Sequence, residues 1–287
     1  MTGFGKATET QPGIARRNQD TPAASSTRDH ANDPRFVTYY EKLSADPRTL
    51  ARFEAIQKVL LRVLGPEKAA RVLDVADIGC NTGMQCHLWA RLGHRVRGLD
   101  ISEALLETAR TRAREAALSI DFELGSATNL PWPDASVDVC ISPELLEHVT
   151  DWESCLREFA RVLRPGGVLY LTTTNVLCPR QEEFNLPLYS WYPRPLKRHY
   201  ERLAMTTRPE LVNYASFPAV HWFSFYGLRK YLGRLGFSCM DRFDVIDIDE
   251  KHGSTRFALK LIRSARVMRL LAHMTQGGTL LVAVKQA

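Results

Sequence analysis

The sequence lacks the features that would place it in a membrane or in an oxidising compartment. Its 287 residues contain no apolar run approaching 18 residues, and the first 33 residues have no apolar segment typical of a secretory signal. Six cysteines are present, but none forms a Cys-x-x-Cys pair or a zinc-spaced cluster with histidine. These absences indicate a cytoplasmic protein with reduced thiols, and no metal site is predicted.

Acidic residues are scarce in the C-terminal part of the chain. Residues 1–175 contain 21 Lys and Arg against 23 Asp and Glu, whereas residues 176–287 contain 17 against 9. A basic C-terminal third is typical of proteins that meet a nucleic acid, an anionic membrane surface or a phosphorylated substrate. A solvated basic face without a partner explains the same pattern equally well.

The order of the elements predicts an α/β fold. Residues 1–33 have almost no large apolar side chains and are predicted to be a disordered leader. Asp46 and Pro47 predict a helix that runs to about Leu64. Beyond residue 70, helical stretches alternate with predicted strands at Val72–Ile78, Arg95–Leu99, Ile120–Leu124, Val137–Ser142, Val168–Thr173, Ser238–Ile248 and Thr279–Lys285. We therefore expect one domain over residues 34–287: a Rossmann-like, doubly wound, seven-stranded, mostly parallel sheet with N-terminal helices and an insertion after the fifth strand.

A glycine-containing turn follows the first predicted strand. Asp77-Ile78-Gly79-Cys80-Asn81-Thr82-Gly83 is neither a Gly-x-Gly-x-x-Gly motif nor a phosphate-binding loop, and an ordinary βα turn is the alternative interpretation. Asp100 lies 21 residues after Gly79, at the end of the second strand. A carboxylate there can accept hydrogen bonds from the two hydroxyls of a ribose. Together the turn and the acid indicate a ligand that contains adenosine.

These stretches resemble those of the class I S-adenosylmethionine-dependent methyltransferases, of the type 11 kind. The resemblance implies that Asp77, Gly79 and Gly83 belong to a loop around the methionine part of the cofactor and that Asp100 binds its ribose. It also implies that Ile101 packs on the adenine, and that Ser126 stands where the family usually has an aspartate. The full set of expected cofactor-binding residues is Asp77, Gly79, Cys80, Asn81, Gly83, Asp100, Ile101, Ser126, Ala127, Ser142 and Tyr39.

Within that family the chain looks most like the ubiquinone-biosynthesis O-methyltransferases. The Leu145-Leu146-Glu147-His148-Val149 stretch and the pair Tyr39-Tyr40 support this similarity. It implies O-methylation of a small or lipid-linked acceptor. N- or C-methylation, methylation of RNA and non-catalytic cofactor binding are the alternatives. A nucleic-acid substrate is disfavoured, because no RNA-binding module and no Asn-Pro-Pro-Tyr-type motif is present. The acceptor and the oligomeric state stay open.

Three residues are candidates for the general base. An acceptor hydroxyl with a pKa of about 10 reacts more readily when a general base removes its proton, and histidine is the best such base near neutral pH. His148 follows the fourth strand, and His221 lies in the insertion after the fifth. Glu144 is the third candidate, as a base or as a metal ligand. Each histidine has a structural alternative, as a residue that packs or holds a loop.

The insertion is rich in aromatic residues. Residues 184–226 contain 11 aromatics in 43 positions, against 26 in the whole chain, with Arg194, Lys197, Arg198, Arg202 and Arg208 among them. This pattern suits a lid with an aromatic-lined acceptor pocket or a peripheral contact with an anionic membrane. A lid in which aromatics simply fill the core is the alternative. A long helix is also predicted at Arg256–Met274, with five Lys and Arg, no acid, and one face formed by Phe257, Leu261, Ala265, Met268 and Ala272.

Overall fold

A seven-stranded sheet organises the protein. The computed structural model describes residues 34–44, 46–181, 183–212 and 219–287, so the predicted leader 1–33 and residues 213–218 of the predicted lid lie outside it. The strands run in the order β3-β2-β1-β4-β5-β7-β6. They are β1 Asp74–Ile78, β2 Arg95–Asp100, β3 Asp121–Leu124, β4 Val137–Pro143, β5 Leu163–Thr174, β6 Phe237–Asp241 and β7 Gly278–Lys285. Only β7 is antiparallel to its neighbours, which confirms the predicted fold class.

Helices cover both faces of this sheet. They are α1 Pro34–Ser44, α2 Pro47–Leu64, α3 Pro66–Ala69, α4 Met84–Arg91, α5 Glu103–Glu115, α6 Trp152–Val162, α7 Arg194–Thr206, α8 Phe225–Arg234, α9 Arg242–Val245, α10 Gly253–Ser264 and α11 Arg266–Met274. The start of α2 is confirmed, because the Asp46 carboxylate accepts a hydrogen bond from the Arg48 amide and Pro47 occupies the first turn. Within the described part of the chain, no helix is long and apolar enough to span a bilayer.

The central strands are buried on both faces, as a covered parallel sheet requires. Successive residues of a strand point to opposite sides, so Ala76 and Ile78 enter one apolar cluster while Val75 enters the other. In β4, Cys140 likewise joins the first cluster and Val139 the second. Because β1, β2 and β4 run parallel, their carboxyl ends lie at one edge of the sheet, where the turns that follow them meet.

Two predicted elements near the C-terminus are wrong. The strand predicted at Ser238–Ile248 ends at Asp241, because the Asp241 and Asp244 carboxylates form a reciprocal cap that begins α9. The helix predicted at Arg256–Met274 is divided at Ala265, which is extended (φ −128°, ψ 126°). The predicted face is divided with it: Phe257 and Leu261 are exposed, whereas Met268 and Ala272 are half-buried.

The division of this helix has a tertiary cause. Arg263, two residues before the break, donates to the backbone carbonyls of Phe243, Asp244 and Ile246. Arg269, after the break, forms an ion pair with Asp244. Both arginines therefore bind the segment around α9, one from each side of the break. The sequence around Ala265 contains no Gly or Pro that would have revealed the break.

A buried charged cluster fixes α11 to the edge of the sheet. Asp241 is fully buried, and its Oδ2 lies 2.8 Å from His273 Nε2 and 3.5 Å from Arg269 Nε. Its Oδ1 accepts the amides of Phe243 and Asp244. Burial alone would raise the pKa of Asp241, but the hydrogen bond from His273 and the charge of Arg269 hold it below its usual value.

Replacement of this carboxylate should destabilise the fold. We expect Asp241→Asn to lower the free energy of unfolding by about 3 kcal/mol or more, because it removes a fully buried carboxylate that pairs with Arg269 and accepts hydrogen bonds from His273 and from two backbone amides. Asp249→Asn, which removes an exposed partner of Arg256, is the matched control and should cost about 0–1 kcal/mol. Urea unfolding followed by tryptophan fluorescence at pH 7 measures both. Equal effects of the two substitutions would contradict a stabilising role for the cluster.

Candidate functional site

The turn after β1 is fastened to the end of β2. The amides of Gly79 and Cys80 both donate to the carbonyl of Leu99, at 2.8 and 3.1 Å. Gly79, Asn81 and Gly83 have positive φ angles of 78°, 49° and 75°, so the chain reverses sharply before α4. This conformation brings the backbone close to whatever lies above the sheet edge.

Gly83 has a steric reason to be glycine. A Cβ atom on it would lie 2.8 Å from Phe122 Cζ, in addition to the strain of its positive φ. Gly83 is also the N-cap of α4 and supplies no capping side chain. The first amides of α4 therefore face the sheet edge without a side-chain acceptor, as in helix ends that bind ligands.

Asp100 connects the first two turns of the sheet. Its Oδ2 accepts the Asn81 amide at 2.9 Å, and its Oδ1 accepts the Ser102 amide at 2.9 Å. Ser102 Oγ caps α5 separately, which confirms that Asp100 is not needed for that role. Burial raises the pKa of Asp100, while the amide hydrogen bonds oppose the rise. A carboxylate offers about four acceptor positions, and the amides of Asn81, Ser102 and Ile101 do not use all of them, so Asp100 can still accept a hydroxyl of a ribose.

A small cavity of about 70 Å³ opens beside this turn. Its lining residues from the predicted set are Asp77, Gly79, Cys80, Asn81 and Glu144. Helices α1 and α2 form its cover, to which Tyr40 and Arg52 contribute, while the role of Tyr39 stays a prediction. Arg52 was not predicted from the sequence, because nothing in α2 distinguishes it from the other arginines of that helix.

A larger cavity of about 360 Å³ lies at the opposite end of the sheet, below the amino ends of β1 and β4. Two of its three arginines are neutralised: Arg95 binds Asp74, and Arg164 binds both Asp74 and Asp138. Ligands of parallel sheets bind at the carboxyl ends of the strands. We therefore take the smaller cavity as part of the functional site.

Two buried polar side chains at the carboxyl edge have no hydrogen-bond partner among the residues that the structure describes. Both ends of the Gln85 amide, which lines the small cavity, and the hydroxyl of Ser142, at the end of β4, are unsatisfied. Buried polar atoms are normally paired, so these are groups that a bound ligand would satisfy. Ser142 was in the predicted set, whereas Gln85 was missed although it lies in the first turn of the helix after the glycine turn.

Asp77 lies beneath the turn and is enclosed. Burial raises its pKa to about 7, and its side-chain hydrogen bond comes from the weak Cys86 thiol at 3.4 Å. The neighbouring Cys80 thiol is also buried, which raises its pKa to about 11. Cys80 is therefore a neutral packing residue at the floor of the cavity rather than a nucleophile.

The residues expected around the adenine are placed beside Asp100 and β3. Ile101 is 42% exposed, which leaves its apolar side chain available for a flat ring. Ser126 Oγ lies 2.8 Å from Thr128 Oγ1, so this hydroxyl stiffens its own loop. Ala127 is buried in the apolar core next to Leu130. The roles of these residues towards adenine stay predictions.

Glu144 crosses the mouth of the cavity. Its Oε1 lies 2.7 Å from Arg52 Nη1, which joins the loop after β4 to α2. Both side chains are about half-exposed, so the pair contributes little to stability and is free to rearrange. Burial, followed by the charge of Glu144, raises the pKa of Tyr39.

The two candidate histidines do not line the small cavity. His148 is half-buried in a short 3-10 turn, Leu146–His148. His221 is held by its backbone to Glu147 and Thr174, and its ring Nε2 lies 3.1 Å from the Thr150 carbonyl. A carbonyl can only accept, so Nε2 carries the hydrogen and Nδ1 keeps the basic lone pair. Burial lowers the pKa of His221 and thus favours this neutral form.

Glu147 is a buried acid that the sequence analysis did not treat as functional. Its Oε2 accepts the Thr173 hydroxyl at 2.9 Å, and burial raises its pKa to about 8. Its backbone carbonyl accepts the amides of Val220 and His221. Glu147 thereby joins the loop after β4 to the end of the insertion.

The described aromatics of the insertion largely pack on one another. Phe184 and Tyr189 stack with ring centroids 4.0 Å apart, and Trp222 contacts Tyr189 at 5.5 Å. Lys197, one of the basic residues interleaved with these aromatics, is only 8% exposed, and its ammonium lies 4.5 Å from the Trp222 ring. The aromatic cluster encloses its stem and its charge, so Lys197 is not part of an exposed basic surface.

No group of three or more His, Cys, Asp or Glu side chains among the described residues is arranged to hold a metal ion. Glu144, the candidate metal ligand, forms an ion pair with Arg52 instead.

Comparisons with known proteins agree with this geometry. A family model described as a methyltransferase domain matches residues 76–171. The chain is 34% identical over 158 residues to a ubiquinone biosynthesis O-methyltransferase of Maricaulis maris, a match that spans 50% of this chain and 62% of that one. It is 33% identical over 172 residues to the protein of the same name from Caulobacter vibrioides, spanning 54% and 68%. Magnesium protoporphyrin IX methyltransferase from Synechocystis PCC 6803 has the same fold, with a TM-score of 0.56 over 91% of this chain and 98% of that one at 17% identity.

The chain belongs to the S-adenosylmethionine-dependent methyltransferases. S-adenosylmethionine is accordingly its cofactor, and the residues present fit it. The turn at Gly79–Gly83 has no side chain where a ligand must approach, Asp100 retains free acceptors, and the unpartnered Gln85 and Ser142 supply further hydrogen bonds.

The raised pKa of Glu147 predicts how the free energy of unfolding depends on pH. The folded protein holds a proton on Glu147 up to about pH 8, whereas an unfolded glutamate releases it near 4.5, so the free energy of unfolding falls as pH rises between these values. Glu147→Gln is neutral throughout. In cofactor-free protein, the free energy of unfolding of Glu147→Gln minus that of the unmodified chain should therefore increase from pH 5 to pH 9. The increase is at most about 1.4 kcal/mol per pH unit.

Urea unfolding at several pH values measures this difference. Glu153→Gln is the matched control, because Glu153 is exposed and should leave the pH profile unchanged. Parallel profiles for Glu147→Gln and the unmodified protein would show that Glu147 is ionised in the fold.

Proposed function

We propose that this chain transfers a methyl group from S-adenosylmethionine to a hydroxyl of a small or lipid-linked acceptor. The observation that carries the proposal is the hydrogen bond between the Asn81 amide and Asp100, which unites the methionine turn and the ribose acid in one site. The names of the Maricaulis and Caulobacter relatives support oxygen as the methylated atom and an isoprenoid-linked phenol as the class of acceptor.

The residues of the chain position the reactants. S-adenosylmethionine supplies a methyl group on a positively charged sulfur, so the protein contributes orientation, charge and removal of a proton. Asp100 holds the ribose hydroxyls, and the amides of the glycine turn approach the methionine part. Arg52 is a cation in the lining of the cavity and suits the carboxylate of the cofactor. If Arg52 bound that carboxylate, its ion pair with Glu144 would break and the Glu144 side chain would be released.

Proton removal is assigned to His221, with Glu144 and His148 as the other candidates. In the tautomer that Thr150 selects, His221 Nδ1 is unprotonated and able to accept the hydroxyl proton of the acceptor. Glu144 lies nearer to the cofactor cavity, but its charge is partly neutralised by Arg52. Residues 184–226 are proposed as the lid over the acceptor, since they follow β5 at the carboxyl edge of the sheet.

The cellular setting is part of the proposal. All six cysteines are described and none is in a disulfide, which suits the reducing cytoplasm. A lipid-linked acceptor and the basic C-terminal third suit a peripheral contact with an anionic membrane. A nucleic-acid substrate is not proposed.

Cofactor binding tests the role of Asp100. Asp100→Asn should weaken S-adenosylmethionine and S-adenosylhomocysteine binding by about 30-fold or more, because a charge-assisted acceptor for the ribose and for the Asn81 amide is lost. Isothermal titration calorimetry measures both ligands. Asp121→Asn, an exposed acid on β3, is the control and should bind normally. Normal binding by Asp100→Asn would place the ribose elsewhere.

Turnover tests the reaction and the base. The purified chain with methyl-labelled S-adenosylmethionine is offered phenols with and without an isoprenoid tail, amines and RNA. We expect label on a phenolic oxygen, and a fall of roughly 100-fold in kcat for His221→Ala with unchanged cofactor affinity. His199→Ala, an exposed histidine of α7, is the control.

The outcomes separate the alternatives. Label on amines or RNA but not on phenols would overturn O-methylation. Full turnover by His221→Ala together with loss in Glu144→Gln would move the base to Glu144, and the same result with His148→Ala would move it to His148.

A further inference from the structure

Helices α10 and α11 expose large apolar side chains. Phe257 is 70% and Val267 is 68% exposed, and Leu261, Leu270 and Leu271 are exposed as well. On α10, Phe257 and Leu261 are one turn apart and share a face, and on α11 the same holds for Val267 and the two leucines. Single exposed hydrophobic residues are ordinary on protein surfaces, but a set concentrated in 15 consecutive residues usually marks an interaction site.

The inward sides of the same helices are occupied. Leu259 of α10 is buried, and His273 of α11 lies in the charged cluster with Asp241, stacked on Phe225 at 5.4 Å. The two helices are thus held in place by contacts that leave Phe257 and Val267 outside. Their exposure is a consequence of a fixed arrangement rather than of an unpacked end.

The positive charge of α10 and α11 indicates which kind of partner they bind. Residues 253–274 contain five Lys and Arg and no Asp or Glu. Arg263 and Arg269 are used internally, but Lys260 and Arg266 are exposed and have no ion-pair partner within the part of the chain that the structure describes. Exposed basic residues beside exposed apolar ones are typical of helices that lie in the surface of an anionic bilayer.

We propose that the outer faces of α10 and α11 bind an anionic lipid surface. Phe257 and Val267 insert among the acyl chains, and Lys260 and Arg266 contact the lipid phosphates. This surface belongs to the segment between β6 and β7 and is separate from the insertion after β5. Its binding requires neither cofactor nor acceptor, so the proposal stands or falls independently of the proposed reaction.

Vesicle co-sedimentation of the whole chain tests it. Vesicles of equal phosphatidylglycerol and phosphatidylcholine should bind the chain, and vesicles of phosphatidylcholine alone should bind it at least tenfold more weakly. Raising the salt concentration from 0.05 to 0.5 M should weaken binding, because the Debye length shortens.

Two paired variants address the two kinds of contact. Phe257→Ser/Val267→Ser and Lys260→Gln/Arg266→Gln should each lower the partition coefficient on the mixed vesicles by about tenfold or more. The matched controls carry the same changes at exposed positions elsewhere: Val72→Ser/Leu92→Ser and Lys58→Gln/Arg114→Gln. All four proteins should keep the unmodified affinity for S-adenosylmethionine, which shows that they are folded.

Three results would overturn the proposal. The first is an absence of binding to the mixed vesicles. The second is an equal loss of binding in the control variants. The same conclusion follows if Trp191→Ser/Met205→Ser loses binding while the α10 and α11 variants keep it, because the contact would then belong to the insertion. The third is a dimer in solution that Phe257→Ser/Val267→Ser converts to a monomer without change in vesicle binding, since the occupant would then be a second copy of the chain.

Discussion

The hydrogen bond from the Asn81 amide to the Asp100 carboxylate is the contact on which the site depends. Parallel pairing places Ile78 opposite Leu99, so the turns after β1 and β2 begin side by side. Leu99 accepts the amides of the first turn, and Asp100 then accepts a third amide from it. The direction of α4 and the position of the ribose acid are therefore set together, and neither turn can shift without the other.

Three acids at the carboxyl edge of the sheet are buried, at a cost to stability. Asp77, Asp100 and Glu147 all have pKa values raised by burial, so an empty site disfavours their ionised forms. A positively charged sulfur nearby would favour those forms. Acids with raised pKa values beside an unsatisfied amide and hydroxyl are typical of functional sites. Such sites lower the local stability of the fold and favour the binding of a ligand.

Lysine side chains are packed differently in the insertion after β5 and in the segment between β6 and β7. In the insertion, Lys197 is drawn into a cluster of aromatic rings and satisfies the Ser190 carbonyl. In α10, Lys260 faces solvent beside Phe257. Composition predicts basic and apolar character for both segments, but only packing decides which side chains face outward. The two segments therefore differ in what they offer a membrane.

The sequence by itself determined the sheet, the glycine turn and the acid Asp100 that follows the second strand. Those features depend on local signals: alternating β-rich and helical runs, glycines where φ is positive, and an acid at a fixed distance from the turn. The tertiary structure alone decided that Gln85, Arg52 and Tyr40 line the cavity, that Glu144 pairs with Arg52, and that the helix after residue 253 breaks at Ala265. These features arise from contacts between residues distant in sequence, such as Arg52 with Glu144 or Arg263 with Phe243, and a local pattern carries no record of which distant segment will supply the partner.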